Sequence, residues 1–211
     1  MKGVDVLIKN EQILKCYKKR GVVEAGCDEA GRGCLAGPVY AAAVILPEKF
    51  DLPELNDSKL LKEKTRYSLR VLIERQALAW AVAWADNTEI DRINILNASI
   101  LAMQRAIEKL SIEPAYLLID GNRFKPYKTI PHECVIKGDG IYASIAAASI
   151  LAKTYRDDYM QSLHKELDMY SWDTNKGYPT KKHRKAIAAF GMSIYHRRSF
   201  NAMTGQFELD L

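Results

Sequence analysis

Residues 22–33 of the 211-residue chain, VVEAGCDEAGRG, place two acidic residues at the end of an apolar stretch and a glycine-rich turn directly after it. Val22–Asp28 is rich in Val and small residues, which predicts a buried strand. Gly31 and Gly33 predict a loop. Val39–Leu46 predicts a second buried strand that pairs with the first as a hairpin with a long connection. The acidic pair therefore lies where a strand of a sheet ends.

Strand and helix patterns alternate along the rest of the chain, which indicates an α/β fold with a mixed sheet. Helices are predicted over Asn10–Lys18, from about Leu61 to Gln76 with Asp57–Ser58 as a cap, Ile95–Leu110, Ala143 to about Leu167, and Thr180–Phe190. Further strands are predicted over Ala77–Ala85, with Trp80 and Trp84 in the core, and over Tyr116–Ile119 and Cys134–Ile136. The last two strands are each linked to helices, so we expect them to be parallel.

Composition and length limit the class of protein. Hydrophobic residues make up 48% of the chain and charged residues 27%, which excludes a disordered or collagen-like protein. No Gly/Ser linker divides 211 residues, so we expect a single domain over residues 1–211 with a basic helical segment at about 170–211. Lys176–Arg198 contains seven Lys and Arg and no acidic residue; without these seven the net charge of +5 becomes −2. This concentration of positive charge favours a polyanionic partner.

Cysteine usage and hydropathy indicate a cytoplasmic protein that does not associate with membranes. The four cysteines form no C-x-x-C pair and no zinc spacing with histidine. Without a secretory signal over Met1–Gln12, we expect reduced thiols. The longest apolar stretches, Ala77–Ala85 and Ile141–Ala152, are shorter than the ~18 residues that a membrane-spanning helix needs.

Four acidic residues follow predicted strands: Asp28, Glu29, Asp120 and Asp139. Ligand sites in open α/β sheets gather at the carboxyl ends of parallel strands. Clustered carboxylates repel one another unless protons or cations compensate, and hard divalent cations such as Mg²⁺ prefer such oxygen ligands. Adjacent residues of a regular strand point to opposite faces, so Asp28 and Glu29 can serve one metal centre only if the strand ends or bulges there, a break that Ala30–Gly31 directly afterwards favours. Taken singly, each Asp is also explained as a helix cap or turn residue.

Two further segments are candidates for substrate contact. Gly31–Arg32–Gly33 allows close approach of the backbone to a phosphate or sugar oxygen, although such a triplet is also an ordinary turn. Tyr178 could stack on a sugar or base while the cations of Lys181–Lys185 meet phosphates. A solvated basic helix is the alternative interpretation of that segment.

Together, these motifs resemble those of prokaryotic ribonuclease HII. The matching segments are Ala25–Gly33, Leu55–Lys59, Leu118–Asn122, Lys137–Asp139, Ala146–Lys153 with Arg156–Asp157, Lys176–Thr180 with His183, and His196–Phe200. They occur in the family's order and extend from about Val22 to Phe200. One departure is Gly140, where the family pattern has a longer side chain.

The resemblance implies an RNase H-like fold with a mixed five-stranded sheet flanked by helices, and a C-terminal helical segment. It implies an endonuclease that cuts the RNA strand of RNA–DNA hybrids and incises DNA at single embedded ribonucleotides, leaving 5′-phosphate and 3′-hydroxyl ends. Two ions, Mg²⁺ or Mn²⁺, would be held by Asp28, Glu29, Asp120 and Asp139, with Asp28 between both ions. The expected substrate-binding residues are Gly31, Arg32, Gly33, Lys59, Tyr178, His183 and Arg197. We expect a monomer whose partners are RNA–DNA hybrids and ribonucleotide-containing DNA.

Two other interpretations stand beside this one. An exonuclease with four acidic ligands would have its acidic pair separated by one residue, whereas Asp28 and Glu29 are contiguous. A non-catalytic nucleic-acid-binding protein would keep the basic segment but would not need four carboxylates near phosphate. Cleavage of a duplex that contains one ribonucleotide, with and without divalent metal, distinguishes the three.

Overall fold

A computed structural model describes residues 14–202 of the chain. Its strands are β1 (Glu24–Ala30), β2 (Val39–Ile45), β3 (Ala79–Ala85), β4 (Tyr116–Asp120) and β5 (His132–Val135). Its helices are α1 (Glu63–Gln76), α2 (Asn87–Ile93), α3 (Ile95–Glu108), α4 (Ala143–Glu166), α5 (Trp172–Asn175) and α6 (Lys181–Phe190), with 3₁₀ turns at Gly138–Gly140 and Asp168–Tyr170.

The five strands form one mixed sheet in the order β3-β2-β1-β4-β5. Strands β1, β2 and β3 are antiparallel neighbours, whereas β4 is parallel to both β1 and β5. The predicted mixed sheet, the hairpin and the parallel late strands are therefore confirmed. Because β1, β4 and β5 run in the same direction, their carboxyl ends meet at one edge of the sheet.

Helices cover both faces of the sheet. On one face, α3 packs on alternate strand residues such as Cys27, Ala41 and Ala83. On the other face, α1 and α4 pack on the residues between them, such as Ala42 and Val44. Small side chains allow close contact, since a Cβ at Gly26 would collide with the backbone of α4. The central strand is thus fixed between two layers of helix.

The C-terminal segment packs against the far half of α4. Leu35, Met160, Leu163, Trp172 and Ile187 form a shared buried cluster there. Thr180 caps α6 by accepting a hydrogen bond from the N–H of His183 at 3.2 Å. The cluster brings the segment after residue 170 next to the loop that follows β1.

Several sequence-based expectations differ from the structure. The part of the predicted Asn10–Lys18 helix within the described residues is not helical, since Lys15 forms a β-bridge with Tyr142; residues 10–13 lie outside the described range. Helix α1 starts after Lys62 and has no side-chain cap, so the Asp57–Ser58 cap is wrong.

On β3, alternate alanines face the core under α3, and Trp80 is partly buried against the cluster on the other face of the sheet, as expected. Ala79, Ala83 and Ala85 are buried under α3, whereas Trp84 is 48% exposed and stacks on Tyr40 with ring centroids 5.6 Å apart. The expected core position is therefore wrong for Trp84. The physical reason is that small side chains let α3 approach the strand closely.

None of the helices within residues 14–202 combines the length and the apolar character that crossing a bilayer requires.

Candidate active site

The parallel register of β1 and β4 brings the first two acidic strand ends together. Cys27 pairs with Ile119 in this register, so the next residue on each strand is Asp28 and Asp120. Asp28 is 4% exposed, and its carboxylate accepts a hydrogen bond from the Ser149 hydroxyl on α4. The two carboxylates therefore lie side by side at the sheet edge, as their predicted strand-end positions require.

Strand β1 continues regularly through Asp28 and Glu29 and ends at Ala30, so the break falls directly after the acidic pair and there is no bulge within it. The antiparallel register pairs Asp28 with Ala42 and Glu29 with Ala41, and the pairing continues to the end of the strand. Regular pairing directs the two acidic side chains to opposite faces of the sheet. The Glu29 carboxylate lies in a narrow crevice that Asp120 also lines, so Glu29 and Asp120 are neighbours at the edge of the sheet.

The fourth acid, Asp139, is carried by the 3₁₀ turn after β5. Lys137 adopts a left-handed conformation with φ 55°, and the N–H of Gly138 then donates to Oδ1 of Asp120 at 2.7 Å. Asp139 is 3% exposed. The N–H of Gly140 donates to the carbonyl of Lys137 at 3.1 Å. This turn is held by its own hydrogen bonds despite the small residue after Asp139.

Burial and mutual repulsion act together on the carboxylates. Desolvation raises the pKa of Asp28 well above its usual value, and the charges of Glu29 and Asp120 raise it further. Desolvation also raises the pKa of Glu29, partly offset by Arg32, with a further contribution from Asp120. The pKa of Asp120 is raised by burial and then by Asp139. Clustered negative charge of this kind favours a bound cation.

Cations and N–H groups already contact all four carboxylates, including Asp28, whose Oδ1 accepts a hydrogen bond from the N–H of Glu29 at 2.7 Å. Arg32 Nη1 donates to Oε1 of Glu29 at 3.0 Å, and Lys59 Nζ lies 3.3 Å from Oδ2 of Asp139. Consistently, no group of three or more His, Cys, Asp or Glu side chains among residues 14–202 is already arranged as a metal-binding cage. Among the described residues, Oε2 of Glu29 nevertheless has no hydrogen-bond partner although it is buried. An all-oxygen donor set with such an unsatisfied atom fits a hard divalent cation.

Ser58 and Ser149 are site residues that the sequence analysis missed. Their hydroxyl oxygens are 2.9 Å apart and both side chains are buried. Since Ser149 also donates to Asp28, the pair links the loop before Lys59 to the central carboxylate. The only sequence signal was their presence in two matching motifs, beside Lys59 and on the small-residue face of α4.

The glycine-rich loop and Tyr178 lie next to one another beyond the acidic edge. Gly31 has φ +94°, and a Cβ there would collide with the Arg156 side chain, whereas Gly33 has open space around it. Arg32 is exposed, and Tyr178 is 39% exposed with its ring centroid 5.9 Å from Cζ of Arg156. The candidate substrate contacts at this loop are thus accessible.

Two of the expected substrate-binding side chains are buried, so direct contact with substrate is wrong for both. His183 is fully buried, where it accepts a hydrogen bond from Trp172 Nε1 at 3.0 Å and lies 2.9 Å from the carbonyl oxygen of Tyr178. Arg197 is also fully buried and donates only to main-chain carbonyls. His183 and Arg197 therefore stabilise the structure beneath the glycine-rich loop.

The basic segment presents only part of its charge to solvent. Lys181, Lys182 and Lys185 of α6 are exposed, as is Arg198. Lys176 is 9% exposed and its Nζ donates to the carbonyl of Asp173. The exposed lysines lie on one helix, whose opposite face is buried. This arrangement presents a positive helix face directly after the Tyr178 segment of the chain.

Comparisons with known proteins match the chain over most of its length. The family model described as Ribonuclease HII matches residues 25–203. The Ribonuclease HII of Bacteroides fragilis (strain ATCC 25285) is 67% identical over 189 residues, which cover 89% of this chain and 94% of that protein.

Two solved structures share the fold. The RNase HII of Archaeoglobus fulgidus, solved as a PCNA:RNase HII complex, has a TM-score of 0.72 at 22% identity and covers 88% of this chain and 98% of its own. Bst-RNase HIII, solved in complex with Mn²⁺, has a TM-score of 0.66 at 20% identity, with coverage of 86% and 68%.

Proposed function

The chain belongs to the ribonuclease HII family and is an endoribonuclease that acts on RNA–DNA hybrids, and we propose that Asp28, Glu29, Asp120 and Asp139 are its catalytic, metal-binding residues. The observation that supports this proposal most directly is the electrostatic coupling of the four acids at one sheet edge. Asp120 raises the pKa of both Asp28 and Glu29, and Asp139 raises that of Asp120. A fold does not retain such mutual repulsion for stability, so a cation ligand role explains it.

The proposed cofactor is a pair of divalent ions, Mg²⁺ or Mn²⁺. When bound, such a pair supplies an activated water on one side of the scissile phosphate and stabilises the leaving oxygen on the other. Asp28 would contribute to both positions, Asp120 and Glu29 to one and Asp139 to the other. The Mn²⁺ complex of Bst-RNase HIII supports a divalent ion in this fold.

The remaining residues of the site orient the acids and the phosphate. Ser149 holds Asp28 by a hydrogen bond, and Ser58 holds Ser149 in turn. Lys59, whose side chain is 77% exposed, places a positive charge beside Asp139. We assign Lys59 to a non-bridging oxygen of the phosphate, because an ammonium group with this exposure can reach an anion without losing its own solvation entirely.

Recognition of the substrate is assigned to the loop and helix beyond the acidic edge. The backbone of Gly31, Arg32 and Gly33 would bind the 2′-hydroxyl next to the cut, the group that distinguishes ribose from deoxyribose. Tyr178 would pack against the sugar at an RNA–DNA junction. The exposed lysines of α6 would bind phosphates without reading sequence. The enzyme would thereby incise DNA at single ribonucleotides as well as hybrids, leaving 5′-phosphate and 3′-hydroxyl ends.

The proposal extends to organisation and location. Residues 1–211 would form one catalytic domain that acts as a monomer, with the segment from about 170 serving as its basic substrate-binding part. We place the enzyme in the cytoplasm of a bacterium, where ribonucleotide-containing DNA is formed. The four cysteines, all unpaired, are compatible with a reducing compartment.

Calorimetric titration with Mn²⁺ tests the metal site without relying on turnover. The parental protein should bind Mn²⁺, and Asp120→Asn should bind it at least about tenfold more weakly, because a charged oxygen ligand is removed. Asp51→Asn is the matched control, since Asp51 is exposed and distant in the chain from the four acids. Equal Mn²⁺ affinity for the parental protein and Asp120→Asn would refute the assignment.

A further inference from the structure

Within residues 14–202, two arginines are buried beneath the glycine-rich loop without an acidic partner. Arg156 is 1% exposed and Arg197 is fully buried. Neither takes part in any ion pair formed within residues 14–202. The acid next to Arg156 in sequence, Asp157, pairs with Lys153 instead. Burying two unpaired cations is costly, so a function that requires these guanidinium groups is needed to explain them.

The hydrogen bonds of both arginines go to main-chain carbonyls of the loop and of the Tyr178 segment. Arg197 donates from Nη2 to Gly31 O at 2.7 Å, from Nη1 to Arg32 O at 2.8 Å and from Nε to Gly37 O at 2.9 Å. Arg156 donates to Pro38 O at 3.0 Å, Lys176 O at 2.8 Å and Ala36 O at 3.1 Å. Each planar group thus fixes three carbonyls, which a lysine ammonium cannot match in geometry.

Binding these carbonyls determines where the neighbouring N–H groups point. In a trans peptide, the C=O of one residue and the N–H of the next point in opposite directions, and the described chain contains no cis peptide bond. Because Arg197 holds the carbonyls of Gly31 and Arg32 toward the interior, the N–H groups of Arg32 and Gly33 point away from it. Both residues are exposed, which is compatible with N–H groups that face solvent.

The second arginine ties this loop to the Tyr178 segment. Arg156 holds the carbonyl of Lys176, and the N–H of Leu35 donates to Gly177 O at 2.8 Å. A Cβ at Gly177 would lie 2.6 Å from Ala36 O, so the two segments approach as closely as their backbones allow. The loop after β1 and the Tyr178 segment, which are far apart in the sequence, are thereby held together as one surface.

We propose that Arg156 and Arg197 form a buried arginine clamp whose two guanidinium groups orient the Arg32 and Gly33 amides toward the ribose 2′-hydroxyl and fix them relative to Tyr178. They are positioning residues, and they do not touch substrate. The clamp rests on the sugar recognition given under Proposed function. It adds the arginine–carbonyl hydrogen bonds that hold the recognising backbone rigidly in place. The function of the clamp depends on the planar, forked arrangement of N–H donors in the guanidinium group, and positive charge alone is not sufficient.

Substitution by lysine separates geometry from charge. Arg197→Lys and Arg156→Lys would each be prepared in an Asp28→Asn background, so that binding is measured without cleavage. The measured quantity is the ratio of Kd for an all-DNA duplex to Kd for the same duplex with one ribonucleotide. We expect each lysine variant to reduce this ratio about tenfold while affinity for the all-DNA duplex changes less than about twofold. Arg75→Lys, at an exposed position on α1, should keep the parental ratio.

The outcomes distinguish the clamp from the recognition on which it rests. If the Asp28→Asn protein itself shows no preference for the ribonucleotide duplex, the proposed sugar recognition fails. If it shows the preference and both lysine variants keep it, the clamp is wrong, because charge alone suffices.

A measurement on the parental fold covers the case in which the lysine variants do not fold. The ¹⁵N-labelled Asp28→Asn protein is titrated with each duplex, and the amide signals of Arg32 and Gly33 are followed. Different shifts with the two duplexes support the oriented N–H groups. Identical shifts overturn the proposal.

Discussion

Oδ1 of Asp120 accepts a 2.7 Å hydrogen bond from the backbone N–H of Gly138. This contact joins the end of β4 to the turn that carries Asp139, so the third and fourth acids are held at a fixed separation in the chain's own structure. The same contact explains why a small residue at position 140 does not release the turn, since the restraint acts on the residue before Asp139. The acidic edge is thus built by backbone hydrogen bonds as well as by strand register.

Asp28→Asn should stabilise the protein at neutral pH without added divalent ions. The raised pKa of Asp28 means that ionisation is unfavourable in the folded state, so stability is lost as pH rises above the ordinary value of 3.8 and through the raised value. Asparagine carries no charge, so the substitution removes the free-energy cost of ionising residue 28 in the folded state. We expect a melting temperature a few degrees higher at pH 7, where about 1 kcal/mol corresponds to about 2–4 °C for this chain length.

The gain should disappear at pH values below 3.8, where Asp28 is protonated in both states. Asp51→Asn, at an exposed position, should leave the melting temperature unchanged at either pH. A lower melting temperature for Asp28→Asn at pH 7 would contradict the electrostatic account.

Replacing Lys181, Lys182 and Lys185 together by Ala should weaken binding to hybrid, ribonucleotide-containing and all-DNA duplexes alike. The three side chains are exposed on α6, and phosphate contacts carry no sugar or base preference. The slope of log K against log salt should fall by about 1 for each phosphate that is no longer neutralised by a lysine. Binding is measured at several salt concentrations, and the position of cleavage by sequencing gel. A shifted cleavage position with an unchanged salt slope would refute phosphate anchoring.

Tyr178→Ala should slow incision at a single ribonucleotide more than cleavage of a continuous hybrid, because only the first substrate requires a junction. Tyr178 is 39% exposed, so part of its ring is available to a substrate. Tyr178→Phe should be milder if ring packing dominates. The measurement is the ratio of kcat/KM on the two substrates. Equal slowing of both by Tyr178→Ala would reduce the residue to a general contact.

The buried histidine pair should make the protein sensitive to acid. His183 Nε2 and His196 Nε2 are 3.2 Å apart, and burial together with His183 lowers the pKa of His196 to about 4. A lowered folded pKa means that stability is complete above the ordinary value of 6.5 and is lost as pH falls toward 4. One proton accounts for up to about 1.4 kcal/mol per pH unit.

The carboxylates with raised pKa act in the opposite direction, so the histidine contribution is taken as a difference. Unfolding free energies of the parental protein and His196→Asn are compared from pH 7 to pH 4. The His196→Asn protein should be less stable than the parental protein at pH 7, and its free energy of unfolding should decrease less on acidification. Parallel curves for the parental protein and His196→Asn would contradict the prediction.

Strand ends and motif order were predictable from the sequence because they depend on local patterns. The carboxyl ends of β1 and β4 follow from apolar runs stopped by Asp28 and Asp120, and the small-residue face of α4 follows from its alanines. Helix α2 was not predicted, although Asp86 with Glu89 is a capping-box signal at its start. The formation of these elements depends on residues that are close to them in the sequence.

Features that depend on distant chain segments were not predictable. The regular course of β1 through Glu29 depends on its pairing with β2, and local residues allowed either a strand end or a bulge there. Arg197 lies in a basic stretch, and arginine is seldom fully buried, so its position beneath the loop had no local signal. The hydrogen bond between Gly138 and Asp120 likewise requires the sheet to be formed first.

The most direct test of the central claim is nicking of a duplex that contains one ribonucleotide. The parental protein should nick it only with Mg²⁺ or Mn²⁺ present, leaving a 5′-phosphate. Asp28→Asn and Asp120→Asn should be folded by circular dichroism yet slower by at least about 100-fold, since several kcal/mol of charge stabilisation is removed. Near-parental nicking by either folded variant, or nicking by the parental protein in excess EDTA, would contradict catalysis by the four acids.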